Sequence, residues 1–98
     1  MKFVLNFTAS ASAILKKLKY SRDSIKKYKA VIKTLQFLQD NPKHPSLQSH
    51  KYHSIKGSEG QEVFEVYAEQ DTPAAYRIFF YYGSQKGQIT VFAITSHP

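Results

Sequence analysis

The sequence predicts an α+β domain, a helical hairpin packed on one face of a mostly antiparallel sheet of four to five strands, in the order β-α-α-β-β-β. Three observations carry this. Two runs rich in β-branched and aromatic residues, Tyr76–Tyr82 and Gln88–Ile94, flank a short loop with Gly83 and Gly87 at its ends, which is an antiparallel hairpin pattern. The first half of the chain holds two stripes of apolar residues spaced by threes and fours, the period of an amphipathic helix. Between them and the hairpin, Gln61–Glu69 alternates in twos, as a strand does.

The elements follow in order. Lys2–Phe7 alternates apolar and polar residues and is expected to form a first strand. Thr8 is placed to cap a short helix whose buried stripe is Ala11, Ile14, Leu15 and Leu18, with Lys16 and Lys19 on the other side. Ser21 then opens a second helix, with Asp23 near the positive end of its dipole. Its apolar stripe is Ile25, Tyr28, Ile32, Leu35 and Leu38, and Lys26, Lys29 and Lys33 line a different face. Asn41-Pro42 stops this helix, because proline lacks an amide donor and restricts the residue before it. Pro42–His53 is expected to be a loop leading to a strand. Lys56–Gly60 is expected to turn, and Asp71-Thr-Pro73 leads the chain into the Tyr76 strand. In the strand over 61–69, Phe64, Val66 and Ala68 share one face, and Val63, Glu65 and Tyr67 the other.

Composition sets the outer bounds. Ninety-eight residues make one domain, 1–98, and the 42% hydrophobic content is that of a folded globule. With no cysteine, disulfides and thiolate metal sites are excluded, and a cytoplasmic setting is expected. No apolar run approaches a membrane span. Lys2-Phe-Val-Leu and Ala11-Ser-Ala13 sketch a leader peptide, but Asn6, Thr8 and Ser10 interrupt its hydrophobic part. The net charge of +7 is unevenly placed: residues 16–51 hold ten of the fourteen Lys/Arg with only Asp23 and Asp40. Residues 52–98 hold three basic and five acidic residues. A basic helical half suits a polyanion or an acidic protein partner, and equally a solvated lysine face.

Nucleophile motifs, phosphate-binding glycine loops and metal-ligand spacings are absent, so no metal or cofactor is expected. His44, His50 and His53 lack the framework of a tetrahedral site. Arg77 is the one charge in an apolar strand, and it must find an anionic partner or reach solvent at a cleft. If Tyr82 pairs with Gln88, Arg77 lies opposite Ala93 and His97 shares its face, roughly 13 Å away along the sheet. A slip of one residue would put the two on opposite faces. Glu65 is either a strand-edge charge or a carboxylate in a cleft. Arg77, His97 and Glu65 are candidate catalytic residues for metal-free RNA cleavage, in which a base takes the 2′-hydroxyl proton, a cation steadies the phosphorane and an acid protonates the leaving oxygen. His50, Lys51, His53, Lys56, Lys26 and Lys33 are candidate RNA-binding residues, alongside Tyr52.

The opening Phe3-Val-Leu-Asn-Phe-Thr8, the helical pair, Asn41-Pro42, Leu47-Gln-Ser-His-Lys51, Tyr76-Arg-Ile-Phe-Phe80 and the closing Ile89–His97 strand resemble the RelE/ParE superfamily of bacterial toxin–antitoxin toxins over nearly the whole chain. The resemblance implies the fold read above and a cognate antitoxin with an acidic amphipathic segment. It implies, for the mRNA-cleaving branch, a ribosome-dependent endoribonuclease that contacts mRNA and ribosomal RNA and represses translation. Arg77 matches the strand arginine that this branch uses at the scissile phosphate. His97 falls where some members carry a histidine, with Pro98 in place of the following tyrosine. Glu62 and Glu65 occupy the strand on which other members carry paired lysines, and Glu65 could serve as the base there. The gyrase-inhibiting branch shares the fold and would make DNA gyrase the partner, and a non-catalytic basic module binding an acidic protein is the third alternative.

Overall fold

The structure, a computed structural model, describes residues 2–69, 75–83 and 85–96. Strand β1 (Val4–Phe7) leads into helix α1 (Ala9–Tyr20), and a 3₁₀ turn over Arg22–Ser24 leads into helix α2 (Ile25–Asp40). A second 3₁₀ turn over Pro45–Leu47 precedes strands β2 (His50–Lys56), β3 (Glu62–Tyr67), β4 (Tyr76–Tyr82) and β5 (Gln88–Ser96). The five strands form one sheet in the order β1-β5-β4-β3-β2. Among the described residues, the β1–β5 pair is parallel and the β5–β4, β4–β3 and β3–β2 pairs are antiparallel. Among the described residues, no helix is long and apolar enough to cross a membrane.

Helix α1 starts where expected. The Thr8 hydroxyl accepts the Ala11 amide at 3.3 Å and donates to the Phe92 carbonyl at 3.2 Å. Ala11 and Leu18 are buried, and Ile14 and Leu15 pack against the core. The second helix begins later than expected. Ser21 caps only the 3₁₀ turn, with no side-chain hydrogen bond, and the α-helix starts at Ile25. The centre of its buried face is shifted too. Val31, Thr34, Leu35 and Leu38 are buried, whereas Ile25 is exposed. Thr34 is tolerated there because its hydroxyl reaches the Ala30 carbonyl at 2.9 Å and the Ala68 carbonyl at 3.2 Å, which ties α2 to the end of β3. Asn41 ends α2, its amide bonded to the Phe37 carbonyl.

The core lies between the helices and one sheet face. Val66, Ile78, Phe80, Ile89, Val91 and Ile94 meet the helical stripe there. Burying side chains of this size stabilises the fold by about 1.5–3 kcal/mol each. Two expectations about strands need correction. The segment 42–53 is not all loop: β2 begins at His50, because its backbone pairs with Glu65 and Phe64 of β3. The hairpin register also differs. Tyr82 pairs with Ile89 in place of Gln88, a shift of one at the turn, and a bulge at Phe92 between the Phe80–Val91 and Phe79–Ala93 pairs adds a second, so Arg77 meets Thr95 and not Ala93. The Phe92 carbonyl at this bulge is the acceptor that Thr8 satisfies. Gly60 and Gly87 hold φ of 82° and 83° at the β2–β3 and β4–β5 turns, a region that glycine enters without strain.

Candidate functional site

Two-residue alternation sends Val63, Glu65 and Tyr67 of β3 and Arg77, Phe79 and Tyr81 of β4 to the sheet face away from the helices. Glu65 sits opposite His50 on β2, while Arg77 pairs with Tyr67, one step along. Three titratable side chains from three adjacent strands therefore converge. Arg77 Nη1 donates to Glu65 Oε2 at 3.0 Å, and His50 Nε2 stands 2.6 Å from Glu65 Oε1. The side chains grade outward, with Glu65 4% exposed, Arg77 21% and His50 52%. The Arg77 guanidinium lies over the Phe79 ring at 5.0 Å, and its buried Nε finds no hydrogen-bond partner among the described residues.

Aromatic rings surround this cluster. His50 stacks on Tyr67, with centroids 6.3 Å apart. Tyr52 meets the edge of Phe79 at 4.9 Å, and Phe92 lies 6.3 Å from Phe79 and 5.5 Å from Tyr81. The open face of an antiparallel sheet ordinarily alternates to polar residues. Here it combines an ion-paired cluster with a row of rings, which suits an anion joined to flat apolar groups.

Glu65 is neither a strand-edge charge nor a free carboxylate in a cleft. It is buried on a central strand with an oxygen committed to each partner. Without those partners, a carboxylate at this depth would be strongly penalised. Its placement suits an orienting role more than the general base expected from the sequence. His50 holds the reachable position. With Nε2–H donated to Glu65, Nδ1 is the nitrogen left to accept a proton, 3.3 Å from the Gln48 carbonyl. Once Nδ1 is protonated, that carbonyl can accept its N–H.

The remaining expected residues divide between surfaces. Lys51 is exposed and pairs with Glu62 at 3.2 Å. His53 and Lys56 are exposed on β2, an edge strand of the sheet. Lys26 and Lys33 line a groove on α2 with Lys29, Ala30, Ala68 and Glu69, on the helical layer across the sheet from Glu65. The six residues expected to bind RNA therefore do not form one patch. His97 lies outside the described residues. Among the described residues, no group of three or more His, Cys, Asp or Glu is placed to hold a metal ion. The ring row of Phe79, Tyr81 and Phe92 was not expected as part of a site. The first two share Arg77's alternation, which was visible, whereas Phe92 faces them because Thr90 pairs with Tyr81 and Phe92 lies two residues on, a register the sequence did not show.

No protein-family model matches the chain, and no curated protein does. Among solved structures, the chain is similar to one described as the archaeal RelE–RelB complex from Pyrococcus horikoshii OT3. The match has a TM-score of 0.65 and 10% identity, and covers 98% of this chain and 96% of that one. At that identity the likeness is one of architecture, and it agrees with the helical hairpin on a five-stranded sheet: the chain has a RelE-like fold.

Proposed function

We propose that the protein is the toxin of a toxin–antitoxin pair, and that its open sheet face cleaves mRNA without a metal ion. The observation that supports this best is the Arg77–Glu65–His50 cluster, a cation and an imidazole held by one buried carboxylate. Glu65 fixes the His50 ring with Nε2 protonated, as the carboxylate of a hydrolase triad fixes its histidine. The ribose 2′-hydroxyl displaces the Gln48 carbonyl from Nδ1, Nδ1 takes its proton, and the 2′-oxygen attacks the adjacent phosphorus. The part of the guanidinium not engaged by Glu65 faces the charge that develops on the phosphoryl oxygens, where a fixed cation has most effect. The bond from phosphorus to the 5′-oxygen breaks, and that oxygen takes a proton from solvent or from His97. The products are a 2′,3′-cyclic phosphate and a 5′-hydroxyl. The ring row beside the cluster would stack the flanking bases, and the basic face of α2 would rest on ribosomal RNA at the A site. An antitoxin with an acidic amphipathic segment is the expected protein partner.

The test is induced expression in a bacterial host with mRNA 5′ ends mapped after a few minutes. New ends inside coding regions, absent with Arg77→Ala and with His50→Ala, are expected. Growth arrest without new ends would replace this reading with gyrase inhibition on the same fold. No arrest at all would leave a module that only binds an acidic partner.

A further inference from the structure

A second concave site lies away from the Arg77 cluster. It is a groove of about 670 Å³ where the start of β1, the segment after α2 and the β4–β5 turn meet. Phe3, Phe64 and Tyr82 form its floor, and Lys43, Lys86 and Ser49 are on its rim. Phe64 is adjacent to Glu65 on β3, so the groove and the Glu65 cluster lie on opposite faces of the sheet. Its size and apolar lining are those of a binding pocket.

The occupant can be argued from the walls. The Phe3 and Tyr82 rings are inclined by 58°, and Phe64 meets Tyr82 at 79°. Rings at such angles form a cup for a bulky side chain and offer no parallel slot for a base to stack in. Lys43 and Lys86 are exposed and make no ion pair among the described residues, in contrast to Lys51 and Lys2, which do. Burial also raises the pKa of the Tyr82 hydroxyl, so the floor stays neutral. A neutral apolar cup between two free ammonium groups is complementary to one large apolar side chain flanked by carboxylates.

We propose that this groove is a docking site for a partner protein, seating an aromatic or large aliphatic anchor of an acidic segment. Under the toxin reading that segment belongs to the antitoxin, and the groove leaves the opposite, catalytic face uncovered by this contact. The identity of the partner rests on that reading; the chemistry of the groove does not.

The chain has no tryptophan, so a tryptophan-containing peptide reports its own burial. The probe is a short synthetic peptide with one tryptophan flanked on both sides by aspartate and glutamate. Titration with the full chain is expected to give a saturable blue shift of its emission. Ser49→Phe, which fills the groove without changing charge, should abolish the shift. Lys43→Glu with Lys86→Glu should weaken binding about tenfold. Arg77→Ala should bind as the wild type does, and thermal melts show that each variant is folded. No shift with the wild type, an unchanged shift with Ser49→Phe, or a shift lost in Arg77→Ala would each overturn the proposal. So would displacement of the peptide by a single-stranded RNA oligomer, which would make the groove an RNA site. Failure here leaves the 5′-end mapping untouched, and failure of that mapping leaves the groove's affinity for the peptide intact.

Discussion

The two faces of the sheet are built from the same strands and obey different rules. The face under the helices is aliphatic and phenylalanine-rich, with Val66, Ile78, Phe80, Val91 and Ile94 closed off from solvent. The other face carries Glu65, Arg77 and His50 among Tyr52, Tyr67, Phe79, Tyr81 and Phe92. Alternate residues of one strand thus serve stability and, on our reading, chemistry. The contrast teaches that polar burial in this chain is local: Glu65 is almost as hidden as its neighbour Val66, yet it is held by charge and hydrogen bonds instead of packing.

Substitutions on the two faces should therefore separate stability from activity. The largest effect is expected from Phe80→Ala, which opens a cavity in the closed core and should cost about 3–5 kcal/mol by urea denaturation. A smaller loss would mean that the helices collapse onto the vacancy. Next comes Arg77→Met, which leaves the buried Glu65 carboxylate with only His50 and should cost about 2–3 kcal/mol. Adding Glu65→Leu should recover part of that loss, because the unpaired charge goes too. Strict additivity of the two changes would show that the ion pair contributes nothing to the fold.

His50→Ala sharpens the comparison from the other side. Its side chain is half exposed, so the change in stability should stay within about 1 kcal/mol while the proposed cleavage is lost. The smallest effect concerns Tyr82 on the helical side. Burial raises its pKa above the ordinary 10.0, so folding favours the neutral phenol. That contribution is complete below pH 10 and is lost as pH rises through the folded-state pKa. Tyr82→Phe should flatten this part of the alkaline stability profile, followed by circular dichroism.

Much of the fold was legible in local pattern. The Thr8 cap, the helix stop at Asn41 and the strand over Tyr76–Tyr82 follow from side-chain chemistry and periodicity within a few residues. The start of β2 was not, since His50-Lys-Tyr-His53 has weak strand propensity and is extended because β3 offers it a ladder. The hairpin register was not legible either. A one-residue shift at the turn and a bulge at Phe92, neither of which an alternation count anticipates, together place Arg77 against Thr95. For the candidate site, alternation placed Glu65 and Tyr67 on one face. Which cation would satisfy Glu65 was hidden, because His50 and Arg77 come from segments 15 and 12 residues away in sequence, joined only by strand order. His50 consequently stood among the RNA-binding candidates, with no sign that a carboxylate would orient it.

The most direct measurement is the chemistry of the ends left on a cleaved transcript. A 2′,3′-cyclic phosphate and a 5′-hydroxyl, both absent when His50→Ala replaces the wild type, are what attack by the neighbouring 2′-oxygen predicts. A 5′-phosphate and a free 3′-hydroxyl would mean that water attacks the phosphorus, and would contradict the role given to the open face.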